Sequence, residues 1–146
     1  MQLRFSLRTI LIAVAFAAIA MSVLICGRRK LNYEIVDNYA QCDAADMIID
    51  HMETHGGIWP RNWDALKPWF ESNGGRTGWR FERYASRIFI DFNADVDELR
   101  TAALSSDNPT FDVVHAKYMF GLVDIGPNSI IHSYFRGLAT EITTDP

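Results

Sequence analysis

Residues 9–27, TILIAVAFAAIAMSVLICG, contain no charged side chain. Wound as a helix rising about 1.5 Å per residue, such a run spans roughly 28 Å, close to the hydrocarbon thickness of a bilayer. A helix satisfies its own backbone polar groups in lipid, so the run predicts a single-pass transmembrane helix. A buried core helix of a small domain would carry a polar stripe. The only polar side chains here are those of Thr9, Ser22 and Cys26.

Basic residues flank the run, with Arg4 and Arg8 before it and Arg28, Arg29 and Lys30 after it. Ala18-Ile19-Ala20 places small residues as a signal-peptidase site does. MSVLIC continues the apolar run past them, however, so a retained signal-anchor is expected rather than a cleaved leader. A lipidated Cys26 would want a small residue where Ile25 stands. The terminal amine, Arg4 and Arg8 balance Arg28, Arg29 and Lys30, which leaves orientation to the rule that a short N-terminal tail stays in the cytoplasm. The expected location is therefore the inner (cytoplasmic) membrane, with the rest of the chain outside the cytoplasm. Ala13 and Ala17, four apart, would let a second helix approach.

Outward from this run the composition changes. The first thirty residues hold five basic side chains and no acid, and the remaining 116 hold nine basic and eighteen acidic ones. An acidic body is a poor binder of polyanions, which argues against nucleic acid as a partner. Two cysteines cannot form a disulfide framework, and no role follows for Cys26 or Cys42 from sequence. The expected organisation is a short basic tail (1–8), a transmembrane helix (9–27) that meets the lipid bilayer, and a soluble α+β domain (28–146). The expected fold of that domain is an antiparallel sheet packed on helices.

Within the soluble part, Ile35, Tyr39, Cys42, Ala45, Ile49 and Met52 recur at helical spacing, with Asp43, Asp46 and Asp50 on the face left for solvent. Gly56-Gly57 ends this helix. Pro60 and Asn62 start a shorter one carrying Trp63, Leu66 and Phe70. Trp79–Tyr84 and Ile88–Phe92 alternate and read as a strand pair, with Ala85-Ser86 as its turn. Asp95 followed by Glu98 resembles a capping box that opens a helix through about Leu104. Phe111–His115 and Tyr118–Ile125 read as further strands, and Gly126-Pro127-Asn128 opens a last amphipathic helix.

Candidate chemistry is sparse. Asp91, Asn93, Asp95 and Asp97 alternate like the first half of a calcium loop, but Val96 replaces the turn glycine and Ala102 the closing acid. A strand end followed by a capped helix explains the same residues. His51 and His55 share the spacing of two zinc ligands, yet Glu53 sits at the wrong offset for a zinc protease. Asp43, Asp46 and Asp50 could do acid–base work if one were buried. Trp59, Trp63 and Trp69 are core anchors or, if exposed, stacking surfaces. Arg76, Arg80, Arg83 and Arg87 form a basic group suited to anionic headgroups or to pairing with the chain's own acids. The loop NGGRTG lacks the Lys-Ser/Thr ending of a phosphate loop, and no Gly-x-Ser-x-Gly or Cys-x-x-Cys occurs. The sequence names no catalytic, cofactor-binding or metal residue. The expectation is a non-enzymatic binding or accessory domain, free of cofactors, that contacts a protein partner at the membrane, with a hydrolase site assembled across the fold as one alternative.

RFSLRTILIAVAFAAIAMSVL (Arg4–Leu24) resembles the N-terminal anchor of many small uncharacterised planctomycete proteins, in which an Arg-Phe-Ser-Leu-Arg-Thr start precedes the apolar run. GGIWPRNWDALKPWF, IFIDFNADVDEL and PNSIIHSYFRGLA are similar to patterns in the same group. That resemblance implies a membrane-anchored domain and supplies no catalytic residue. The chain is also similar to type IV pilin-like proteins, which join an apolar N-terminal helix to an amphipathic continuation and a sheet domain. Gly57-Ile58-Trp59-Pro60, followed by Trp63 and Leu66, resembles the Gly-x-Tyr-Pro and Leu pattern after a pseudopilin long helix. The chain departs from it in having no Gly-Phe processing site before the apolar run and no Glu at the fifth position. The pilin likeness implies a self-assembling subunit as the other alternative.

Overall fold

A computed structural model of the chain describes residues 7–117 and 126–144. The chain divides into two compact units, Met1–Ile35 and Val36–Pro146. Helix α1 (Leu7–Thr54) is 48 residues long and contributes to both. Neither Gly nor Pro interrupts it except Gly27, and it ends where the sequence places the stop: Gly56 and Gly57 both take positive φ, and Gly57 N–H donates to the Met52 carbonyl.

In the first unit, Ile12, Val14, Phe16, Ile19, Met21, Val23, Leu24 and Ile25 are 49–70% exposed. Among the described residues no helix is long and apolar enough to cross a membrane. This corrects the transmembrane reading of residues 9–27, together with the single-pass, signal-anchor and inner-membrane assignments drawn from it. The apolar stretch is not a bounded element: it is one part of α1, which runs on through Arg28, Arg29 and Lys30 into a polar continuation that ends at Thr54.

In the second unit, the remainder of α1 buries Ala40, Ala44, Ala45, Met47, Ile48 and Met52. The buried face is rotated from the one read in the sequence. Ile35 and Tyr39 are exposed, while Asp37 and Asp43 are buried. Small alanines admit neighbouring elements on more than one side of the helix, and two arginines neutralise the acids that this encloses.

After α1 the chain makes a short 3-10 turn, Trp63–Leu66, capped by Asn62 Oδ1, which accepts from Ala65 N–H at 3.0 Å. It continues as α2 (Lys67–Asn73), with Pro68 in the first turn, where no backbone N–H is needed. Next come α3 (Phe81–Arg87), β1 (Ile88–Ile90), α4 (Val96–Ser105), β2 (Val114–Ala116) and α5 (Pro127–Thr144). Among the described residues the sheet has two antiparallel strands, with Phe89 opposite His115. Ile88 and Ile90 point inward and Phe89 outward, as strand alternation requires. Leu99 and Ala103 of α4 and Ile131 and Phe135 of α5 complete the core.

Helices carry more of this α+β unit than expected. The stretch read as a strand over Trp79–Tyr84 is instead a loop at Trp79 and Arg80 followed by the first turn of α3. Phe81 and Tyr84, three apart, both turn inward, and that helical spacing overrides the apparent alternation. The strand expected at Tyr118–Ile125 lies outside the described residues.

Candidate interaction site

The buried acids of α1 organise the loop that follows α2. Asp43, fully buried, accepts from Tyr84 O–H at 2.6 Å and from Arg76 backbone N–H at 2.9 Å. Its second oxygen lies 3.3 Å from Arg76 Nε, and the same guanidinium pairs with Asp46. Tyr84 in turn accepts from Thr77 Oγ1 at 2.8 Å, and Thr77 accepts from Trp79 N–H at 3.1 Å. The result is a directed chain of donors from Trp79 through Thr77 and Tyr84 to a buried carboxylate.

Burial first, and then the bond to Asp43, push the Tyr84 phenol up to about 12. Burial also raises the neighbouring Cys42 thiol, against the pull of Arg76. Both groups therefore hold their protons at neutral pH, so neither is an activated nucleophile or base.

Glycines close the loop. Gly74 and Gly78 take positive φ, and Gly78 N–H donates to the Gly75 carbonyl at 3.2 Å. Gly75 lies against Tyr84. A Cβ there would overlap the phenol oxygen, approach Cζ to 2.8 Å and Phe70 Cε2 to 3.1 Å. The Asn73-Gly74-Gly75 signal was visible in sequence as a loop, but its contact with Tyr84 was not.

This fixed loop presents an open recess of about 600 Å³ lined by Gly78, Trp79, Arg80, Glu82 and Arg83. The Arg83 guanidinium lies 4.4 Å from the centre of the Trp79 ring. Trp79 is held edge-on to Tyr84, with ring centres 5.7 Å apart. The four arginines grouped in the sequence thus separate into two pairs. Arg76 binds Asp43 and Asp46, and Arg87 binds buried Asp37. Arg80 and Arg83 border the recess and enter no ion pair among the described residues.

The other candidates do not converge there. Asp95 caps α4, accepting from Asp97 N–H at 2.8 Å and Glu98 N–H at 3.2 Å, and Asp91 accepts from Asn93 N–H at 3.0 Å. These are turn and cap bonds. Among the described residues no group of three or more His, Cys, Asp or Glu could hold a metal ion.

The His51 and His55 rings are stacked with centroids 4.0 Å apart, and His55 Nδ1 lies 2.9 Å from the His51 carbonyl. Burial first, then His55, lower the pKa of His51. Trp59 is buried and donates to the Asp91 carbonyl at 2.8 Å, while Trp63 and Trp69 pack against the core. His132 is buried with its Nε2 3.0 Å from the Ser106 carbonyl. His115 stacks on Phe89 with ring centres 4.6 Å apart. Neither histidine lines the recess.

Sequence reasoning also missed Asn128. Its Oδ1 accepts from the N–H groups of Val113 and Val114, and its Nδ2 donates to Asp112 and to the Val114 carbonyl. It ties the start of α5 to β2. No protein-family model, curated protein or solved structure matches the chain.

Proposed function

We propose that the chain is a binding protein that works by self-association, with the apolar run of α1 gathering copies of itself. The observation that carries this reading is the exposure of eight large apolar side chains between Ile12 and Ile25. Contiguous apolar surface of this kind marks an interaction site. At 100° per residue, Ile12, Phe16, Ile19 and Val23 lie on one side of the helix, and Val14, Met21 and Ile25 lie on the opposite side. A two-helix seam covers only one side, so the pattern calls for at least three helices.

Completing the burial of these side chains is worth on the order of 10 kcal/mol per chain before the entropy of association is subtracted. Copies of the chain are the favoured occupant because the run carries no charge. Identical surfaces meet without like-charge cost, and the Ser22 hydroxyl is engaged within the helix with the Ala18 carbonyl. The buried acids of the second unit, Asp37 and Asp43, are paired with Arg87 and Arg76, which supports binding over catalysis.

The test is light scattering after size exclusion of the full chain in detergent-free buffer. A discrete mass of three or more copies is expected, shifting to monomer in Ile19→Glu/Val23→Glu. A monomer, an aggregate without discrete mass, or a chain that disperses only into neutral phosphatidylcholine vesicles overturns the reading.

A pilin-like subunit is a second form of the same idea. It is favoured by the 48 unbroken residues of α1, exposed and apolar early, buried late. Filaments in negative-stain micrographs favour that form, and closed particles favour a bundle.

A further inference from the structure

We propose that the recess bordered by Trp79, Arg80 and Arg83 binds a carboxylate-rich peptide segment of a partner protein. The inference is independent of self-association through α1. It rests on three observations. The first is the division of the arginines: two neutralise buried acids, and the two at the recess have no carboxylate partner among the described residues. The second is the fixing of the loop. Its backbone is bound to Asp43 through Arg76 N–H, and Trp79 N–H is bound through Thr77 and Tyr84 to the same carboxylate. A surface held this way loses little entropy when a ligand docks. The third is composition. Tryptophan and arginine are the residues that dominate binding energy at protein interfaces.

The chemistry points to carboxylates on a short segment. A guanidinium presents a planar fork that a carboxylate matches with two parallel hydrogen bonds. Two arginines three residues apart can serve two acidic side chains. Trp79 offers an apolar surface beside them for a flanking residue. Glu82 also lines the recess, so the site carries a net charge of one positive unit. That suffices for one short acidic segment, whereas a long polyphosphate chain would run on over a body whose acids outnumber its bases.

The probe is the hexapeptide Glu-Glu-Leu-Glu-Glu-Leu, titrated into the full chain and followed by NMR shifts of the indole N–H groups. Saturable binding that moves the Trp79 resonance is expected. The Gln-Gln-Leu-Gln-Gln-Leu peptide should bind at least about tenfold more weakly, as should the acidic peptide to Arg80→Gln and to Arg83→Gln. Lys67→Gln, an exposed charge outside the recess, should leave binding unchanged. Circular dichroism verifies that each variant is folded. Arg80 is the safer site, since no core contact depends on it.

Equal binding of the acidic and amide peptides overturns the proposal, as does unchanged affinity in both arginine variants. Inorganic phosphate or anionic phosphatidylserine vesicles that displace the peptide at equal charge concentration overturn it too, by reducing the recess to a generic anion site. None of these outcomes bears on the oligomeric mass that tests self-association.

Discussion

Gly75→Ala should be far more damaging than its single methyl group suggests. The added Cβ overlaps the Tyr84 hydroxyl and comes within 2.8 Å of Cζ and 3.1 Å of Phe70 Cε2. Ordinary contact begins near 3.4 Å, so the Tyr84 ring must retreat from a fully buried position. Overpacking of this kind costs about 1–3 kcal/mol. Moving the phenol also weakens its 2.6 Å bond to buried Asp43, and a hydrogen bond to a charged group is worth roughly 1.5–3 kcal/mol. The two costs overlap, giving a total of about 2–4 kcal/mol. In a Tyr84→Phe background the oxygen is absent and only the ring contacts remain, so the same substitution should cost about 1 kcal/mol.

Equilibrium urea unfolding of the four proteins, followed by tryptophan fluorescence at one protein concentration, measures the cycle. A coupling of at least about 1 kcal/mol is expected. The reasoning is refuted if Gly75→Ala costs the same in both backgrounds, or less than about 0.5 kcal/mol in the parent.

Tyr84 also predicts an alkaline limb. Burial and the bond to Asp43 push its folded pKa up to about 12, above the ordinary tyrosine value of about 10, so its contribution is complete below pH 10 and falls as pH rises toward 12. Absorbance at 295 nm should show a late tyrosinate step that Tyr84→Phe removes. His51 works in the opposite direction. Its folded pKa is lowered by burial, so stability should drop as pH falls below about 6.5, and His51→Gln should flatten that slope in urea titrations. Asn128→Asp keeps the acceptor for Val113 and Val114 but loses the donor to the Val114 carbonyl and faces Asp112. A loss of about 1–3 kcal/mol is expected in the same assay. Arg76→Gln leaves buried Asp43 without its cation. Because the arginine is 52% exposed, solvent screening limits the loss to about 1–2 kcal/mol.

Local signals in the sequence were legible where one residue settles the backbone. Asp95 caps α4, Asn62 caps the 3-10 turn, Gly56-Gly57 ends α1, and Pro127 stands at the start of α5. Ile88 and Ile90 were legible as the inward side of a strand for the same reason. What failed depended on contacts far apart in the chain. Asp43 looks like a solvated acid on an amphipathic helix until Arg76, thirty-three residues away, is placed against it, and Asp37 is enclosed with Arg87 from fifty residues away. WRFERY satisfies a period of two as well as a helical one, and only the inward packing of both Phe81 and Tyr84 decides between them. The recess was half visible. Its arginines were grouped in sequence, but which two would be consumed internally was a property of the fold. The 9–27 run misled because hydropathy alone treats an apolar stretch as a bounded element, whereas α1 continues unbroken to Thr54.

Cys26 gives the most direct test of self-association, because it is exposed near the end of the apolar run while Cys42 is half-buried. A nitroxide attached to Cys26 in a Cys42→Ser background reports distances between copies by pulsed electron resonance. Packed helices lie about 8–10 Å apart, and the apolar run 9–27 is roughly 28 Å long. Inter-copy spin distances below about 30 Å are therefore expected for parallel or antiparallel packing. Isolated spins without dipolar coupling, at protein concentrations where the chain is intact and folded, would contradict the claim that copies of α1 cover one another.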